Sequence, residues 1–523
     1  MNLPASAQGL RTRRGVYLGL ALISVVMLLE PTHVAGARGG APSEDVQLSA
    51  DGSVTPLPHF WETMFGSGRA ILSLRDSYRQ DLRAVKAATG FRYVRFHNIL
   101  HDEVGLVYRE HERFRYDFSY VDEIYDGLLA NDVRPYVELS FMPTALSSDA
   151  ASVQTFWYHP NVAPPRRYAE WDALIKALVA HLVERYGLDE VAQWYFEVWN
   201  EPNLDFWAGV PKQRSYFELY AHTALDIKSV SPRLRVGGPA TAQAAWIPEF
   251  LEFARRHAVP VDFVSSHVYG NDPPKPVFGS AVPVSQERFV CRAVRKLHDE
   301  ILASARPELP LIISEYNASY KNEPPVTDSV YMGPWLASTI AQCDGLAASM
   351  SYWTFSDVFE EQGVPRSPFY GGFGLVAEHG IPKPAFNAFA LLHKLGEQRF
   401  RVDSESVLAT RRADGTLAIA LWNYAPPGDA PVGTGGCAAK QFHLVIAGID
   451  PTAPVRISAL DAWHGNAVAA FEAMGRPAFP SREQLEQLRQ AAALPPPDLQ
   501  RLARGEFRVS VPCQGLILVE IGT

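Results

Sequence analysis

Two glutamates each stand at the end of an apolar run: Glu201, which follows Trp194 to Trp199 and Asn200, and Glu315, which ends Leu311-Ile312-Ile313-Ser314. If two such carboxylates face one another, they can divide the cleavage of a glycosidic bond between them. One protonates the departing oxygen, while the other attacks the anomeric carbon or activates water. A gap of roughly 5 to 5.5 Å between the carboxyl groups implies retention through a glycosyl-enzyme, and roughly 6.5 to 9.5 Å implies inversion. Trp157, Tyr158, Trp199, Trp207, Tyr269, Tyr316 and Trp353 offer flat apolar faces beside hydrogen-bond donors, a combination that suits a pyranose ring. The histidines have no metal-ligand spacing and no glycine-rich phosphate loop follows a strand, so the sequence implies no metal and no cofactor.

Both glutamates need elements that bring them together. From about residue 58, short β-branched or aromatic runs alternate with amphipathic stretches, the pattern of βα units around a parallel sheet. The predicted strands are Tyr93 to His97, Arg134 to Ser140, Trp194 to Trp199, Leu234 to Gly238, Phe263 to Tyr269, Leu311 to Tyr316 and Ala348 to Phe355, with an eighth near Trp61 to Phe65. Eight units predict an α/β fold, a (β/α)8 TIM barrel, whose strands deliver their chemistry at the C-terminal ends. The residues there are polar and aromatic: His97 and Asn98, Glu138 and Ser140, Asn200 and Glu201, His267 and Tyr269, Glu315, then Trp353, Asp357, Glu360 and Glu361. Between strands, Ser119 to Asn131 reads as a helix opened by a Ser119/Asp122 capping box. In the strand before Glu201, Pro202 is read as the terminator, because it has no N–H to offer a ladder.

After Leu395 the pattern changes to short strands, with Asp414-Gly415 as a hairpin turn and one helix from Ser481 to about Ala492 opened by a Ser481/Gln484 capping box. The predicted organisation is a leader over residues 1–37, the catalytic barrel over 58–397 and an accessory β-sandwich over 398–523, to which residues 45–54 could add a strand. The leader reading rests on Arg11, Arg13 and Arg14, an apolar run from Val16 to Leu29 and the small residues Ala35-Gly36-Ala37, the layout of a secretory signal peptide. It implies a periplasmic or secreted protein with no membrane association after cleavage. Export permits disulfides, and Cys291, Cys343, Cys437 and Cys513 allow three pairings, among which pairing within each domain is favoured. With 523 residues, 20% charged and a net charge of -9, the chain lacks the basic surface that nucleic acid or anionic lipid requires.

The ordered motifs also carry a resemblance. Val198-Trp199-Asn200-Glu201-Pro202-Asn203 and Ile312-Ile313-Ser314-Glu315-Tyr316-Asn317 resemble the two catalytic signatures of glycoside hydrolase family 39, which holds β-xylosidases and α-L-iduronidases. Val94 to His97, Pro135 to Pro143, Tyr352 to Asp357 and Gly380 to Ala385 are similar to other stretches of that family. The resemblance implies a secreted, retaining β-xylosidase that acts on an oligosaccharide or polysaccharide, with Glu315 as nucleophile and Glu201 as general acid/base. It places Asn200 on the sugar 2-hydroxyl, Tyr269 on Glu315, and His97, His267, Trp353 and Glu361, in preference to Glu360, around the glycone. Glu201 must then hold a proton near neutral pH, which burial and the negative charge of Glu315 favour. An α-L-iduronidase-like enzyme, an endo-acting exopolysaccharide glycosidase and a noncatalytic sugar-binding barrel are the alternatives; Tyr269, two residues after His267, favours a neutral sugar, and the basic Arg366 weighs against excluding a uronic acid.

Overall fold

The computed structural model describes residues 43–111, 113–427 and 437–522. The predicted leader lies outside the described residues. Eight parallel strands close into a barrel: β1 Met64–Arg69, β2 Tyr93–His97, β3 Arg134–Leu139, β4 Tyr195–Val198, β5 Arg235–Thr241, β6 Phe263–Tyr269, β7 Leu311–Asn317 and β8 Ser349–Tyr352. Each pairs with its sequence neighbours, and Tyr352 of β8 pairs with Phe65 of β1 to close the ring. Helices such as Tyr168–Tyr186 and Lys212–Val230 cover the outside, burying Trp171, Leu174 and Leu178 on one and Phe217, Tyr220 and Ala224 on the other.

The interior is layered. At the N-terminal end, Met64, Tyr136, Phe263 and Ile312 pack into an apolar floor with Tyr93 and Tyr195 against it. One pleat further along, the inward positions of β2, β3 and β4 are Arg95, Glu138 and Glu197, all fully buried. The barrel therefore carries a charged layer directly beneath its mouth.

Several local expectations are corrected. β1 starts at Met64 rather than near Trp61, because Phe60 and Trp61 bury their rings in the approach to the strand and Met64 is the first side chain to reach the barrel floor. β8 ends at Tyr352, short of Phe355. β4 ends at Val198, so Pro202 is not what stops it; Trp199 turns left-handed with φ 72° immediately after the strand. Helix Ser119–Leu129 has no Ser119/Asp122 capping box, since Asp117 Oδ1 already accepts the Ser119 N–H at 2.8 Å. The box at Ser481 and Gln484 is present, with both reciprocal bonds.

The C-terminal part is a β-sandwich. A seven-stranded sheet runs in the order Val54–Pro56, Gln398–Phe400, Val407–Arg411, Leu417–Trp422, Leu516–Ile521, Pro454–Leu460 and Asp498–Arg501. It faces a three-stranded sheet in which Ser43–Ser49 runs parallel to Lys440–Ala447, which pairs antiparallel with Glu506–Val511. Val46, Phe442, Leu444 and Phe507 from the small sheet share one core with Ile419, Leu421, Val455 and Val519 from the large one. Cys291 bonds Cys343 between two barrel helices, and Cys437 bonds Cys513 in the sandwich, the pairing within each domain.

Candidate active site

The mouth of the barrel gathers residues from six strands and the loop after β8. Glu201 arrives there through an uncommon backbone: Trp199 and Glu201 both adopt positive φ, 72° and 43°. Left-handed conformations cost non-glycine residues about 1–3 kcal/mol each. Two bonds hold the turn, the Glu201 N–H to the Ala240 carbonyl at 2.8 Å and Trp199 Nε1–H to the Phe206 carbonyl at 2.7 Å. Glu315 lies within β7 and needs no such turn. A register shift between Ser266 and His267 in β6 sets His267 beside Glu315.

The two carboxylates come within reach of one another. Glu201, His267 and Glu315 each present an atom within 4.8 Å of the other two. His267 Nδ1 lies 2.9 Å from Glu201 Oε1 and 3.5 Å from Glu315 Oε1. Tyr269 donates its hydroxyl to Glu315 Oε2 at 2.6 Å. On the other oxygen, Arg95 Nη1 donates to Glu315 Oε1 at 2.7 Å.

Arg95 is a residue that sequence reasoning left without a role. Its guanidinium also donates through Nε to Glu197 Oε2 at 2.6 Å and through Nη2 to Asn200 Oδ1 at 3.0 Å, and lies 2.8 Å from Glu138 Oε2. Three buried carboxylates and one amide thus share one fully buried cation. Its planar fork of fixed donors allows one side chain to orient several acceptors at once. Glu197, which also accepts the Tyr136 hydroxyl at 3.1 Å, went unassigned too. The one sequence signal was charged side chains at inward positions of strands meant to be buried.

Around this centre, His97 Nδ1 bonds Glu138 Oε2 at 2.7 Å, and Ser140 donates to the other oxygen of Glu138. The His97 ring lies 4.8 Å from Trp353, and Trp353 packs with Tyr269, Phe359 and Phe373 into an aromatic wall. Gly66 allows that wall to come close: a Cβ there would meet the Trp353 ring at 2.2 Å. Glu361 Oε1 lies 3.7 Å from His97 Nε2, whereas Glu360 points away into Arg69 and Arg75 at 3.1 and 2.5 Å. Asp357 braces the loop by pairing with Lys383 at 2.7 Å and accepting the Gly374 N–H. His97, Asn200, Glu201, His267, Tyr269, Glu315, Trp353 and Glu361 therefore surround one mouth.

The aromatic residues divide differently from the expectation. Trp199, Trp207 and Tyr316 belong to the core, each no more than 1% exposed, because their rings fill the space between strands and helices. Tyr158 stands beneath the Arg69 guanidinium, 4.9 Å from its ring centre. Trp157 is the exposed one, at 61%, with its backbone N–H donated to the Glu361 carbonyl at 2.7 Å.

Electrostatics separates the pair. Burial raises the Glu201 carboxyl well above the usual range, and the neighbouring charge of Glu315 adds to the rise. Burial raises Glu315 as well, but Arg95, His97 and the Tyr269 hydrogen bond oppose it. Only Glu315 has a guanidinium bonded to it, so the shared proton resides on Glu201. Burial, reinforced by Arg95 and His97, pushes His267 far below the ordinary histidine range, which keeps it neutral beside that proton. Burial pushes Glu361 up to about 8.

The profile of Glycosyl hydrolases family 39 matches residues 44–501. A β-xylosidase of Geobacillus stearothermophilus is 40% identical over 463 residues, covering 86% of this chain and 90% of that protein. The α-L-iduronidase of Mus musculus is 22% identical over 83% of this chain and 73% of its own length. Among solved structures, a monomeric β-xylosidase from Caulobacter crescentus superposes with TM-score 0.83 at 33% identity, covering 91% of this chain and 99% of that one. With its barrel, its paired carboxylates and these relatives, the chain belongs to glycosyl hydrolase family 39 and is a glycosidase.

Proposed function

We propose that the protein is a secreted, retaining β-xylosidase that releases xylose from non-reducing ends by double displacement. The observation that carries the retaining mechanism is the closeness of the pair: Glu201 and Glu315 each bring a carboxylate oxygen within 4.8 Å of the other, in keeping with the narrowly spaced carboxyls of a retaining site. Glu315, ionised against Arg95 and Tyr269, attacks the anomeric carbon while Glu201 gives its proton to the leaving oxygen. Glycosylation removes the charge of Glu315, the repulsion that holds the proton on Glu201 weakens, and Glu201 then takes a proton from the incoming water. Asn200, fixed by Arg95, holds the 2-hydroxyl, a contact that strengthens as the ring gains oxocarbenium character. His97, His267, Trp353 and Glu361 line the glycone.

A neutral sugar is favoured by how the charges are used. A uronic acid needs a free cation at the glycone, but each donor group of Arg95 is engaged by protein acceptors and Glu361 adds a carboxyl to the wall. Arg366 is exposed on the loop beyond Glu361. The β-xylosidase relatives support the same choice. Export rests on the three-part layout of residues 1–37.

A panel of aryl β-xyloside, α-L-arabinoside and α-L-iduronide, run on the wild type, Glu315→Gln and Glu201→Gln, tests the reading. The β-xyloside is expected to turn over fastest and to be lost in Glu315→Gln. Exclusive iduronide turnover would overturn the substrate, and activity that survives Glu315→Gln would overturn the mechanism.

A further inference from the structure

At the opposite end of the barrel, two imidazoles converge on one carboxylate. His59 and Glu62 lie on the chain just before β1, and His393 follows helix Pro384–Leu392, where the chain leaves the barrel for the sandwich. His59 Nδ1 is 2.6 Å from Glu62 Oε1, and His393 Nδ1 is 2.9 and 3.0 Å from the two oxygens of Glu62. All three donor atoms lie within 4.8 Å of one another. Glu62 is 5% exposed, so its carboxylate is aimed inward at the histidines rather than into solvent.

From this convergence of three donors at the barrel floor, we propose that His59, Glu62 and His393 form a binding site for a divalent transition-metal ion of the Zn2+ class. Two imidazole nitrogens and one carboxylate suit Zn2+ and its neighbours and do not suit Mg2+ or Ca2+, which prefer all-oxygen sets. Zinc bonds of roughly 2.0–2.1 Å in a tetrahedral site place donors about 3.3 Å apart, so the 2.6 Å spacing of His59 and Glu62 must open by about 0.7 Å and the 2.9 Å spacing of His393 and Glu62 by about 0.4 Å. His393 can supply the smaller of these movements, because its side chain is 43% exposed at the end of its helix, and the Glu62 carboxylate must supply the larger. The His59 ring is held in place by stacking on Trp61 at 4.4 Å. A hydrated ion has a route in: a cleft of about 640 Å³, lined by Pro56, Pro58, His59 and Gln398, opens beside the cluster.

The bound ion would tie the chain entering the barrel to the chain leaving it, beside the antiparallel pairing of Val54–Pro56 with Gln398–Phe400 and the Leu57 N–H on the Glu397 carbonyl at 2.8 Å. Its effect is therefore on stability rather than on the reaction, which takes place at the other end of the strands. The test uses untagged full-length protein equilibrated with Zn2+, freed of excess metal and measured for bound zinc, alongside Tm with and without Zn2+. The site predicts one Zn2+ per chain, lost in His393→Ala and in Glu62→Gln and retained in Glu315→Gln. It also predicts a rise in Tm of roughly 3 °C at saturating Zn2+ in the wild type and in Glu315→Gln, and none in His393→Ala or Glu62→Gln. Zinc that survives His393→Ala but disappears in Glu315→Gln would assign binding to the active-site carboxylates and overturn the proposal, as would the absence of stoichiometric zinc. Folding of His393→Ala is checked by its β-xyloside turnover, which should equal that of the wild type.

Discussion

Replacing Tyr269 by Phe deletes one hydroxyl and leaves the ring that packs with Trp353, Phe359 and Phe373. The lost contact is the 2.6 Å bond to Glu315 Oε2. A hydrogen bond to a charged acceptor contributes about 1.5–3 kcal/mol, and each 1.36 kcal/mol is one pH unit or a factor of ten. The donor favours the ionised form of Glu315, so its removal raises the pKa of that carboxyl. The acid limb of kcat/KM, which reports the free enzyme, should move to higher pH by about one to two units. On the acid side of that limb, kcat/KM should fall by roughly 10- to 150-fold, and the deficit should shrink as pH rises and Glu315 ionises again. The assay is a pH profile with an aryl β-xyloside, with thermal unfolding as the control for structure. An acid limb that stays in place, with only the alkaline limb moving, would mean that Tyr269 does not govern the charge of Glu315.

Three other perturbations probe separate parts of the account. Glu201→Ala should lower kcat by roughly 10²–10⁴ on substrates with poor leaving groups. Azide should rescue the variant on activated substrates, with the glycosyl azide identified by NMR; failure of rescue counts against an acid/base role. Arg95→Met leaves Glu138, Glu197 and Glu315 buried without their cation and should cost about 3–5 kcal/mol in denaturant unfolding, against less than 1 kcal/mol if the hub is dispensable. Glu361, raised to about 8, holds a proton in the folded state that the unfolded chain gives up near the ordinary glutamate range, so it costs stability as pH rises between those values. Glu361→Gln should gain stability relative to the wild type from about pH 5 to 8, a trend readable from Tm in a buffer series. A difference between the two that is flat with pH contradicts the buried-acid assignment.

The sequence makes the barrel legible because strand and helix periods alternate cleanly from β2 to β7, and because a barrel delivers function at strand ends. Glu201 and Glu315 are readable for the same reason, each being a carboxylate placed where an apolar run stops. Arg95 is different. Its role depends on the register of β2 against β3 and on three carboxylates from other strands, and no one-dimensional spacing encodes their convergence. The distinction between Glu360 and Glu361 is likewise set by a loop, which sends one toward Arg69 and Arg75 and the other toward His97. Trp199 and Trp207 flank the motif in sequence yet pack against each other at 5.0 Å in the core. Proximity along the chain says which residues are near the site but not which way their rings turn. His59, Glu62 and His393 meet only because the fold brings the entrance and exit of the barrel together.

The most direct test of the paired-carboxylate mechanism is to trap its intermediate. A 2-deoxy-2-fluoro-β-xyloside with a good leaving group slows both steps by opposing the oxocarbenium charge, and the leaving group lets the first step proceed. Peptide mass spectrometry after incubation should find one sugar per chain, bonded to Glu315, with activity lost in proportion. An unlabelled enzyme that still turns the substrate over, or a label on any other residue, would contradict the assignment of Glu315 as nucleophile.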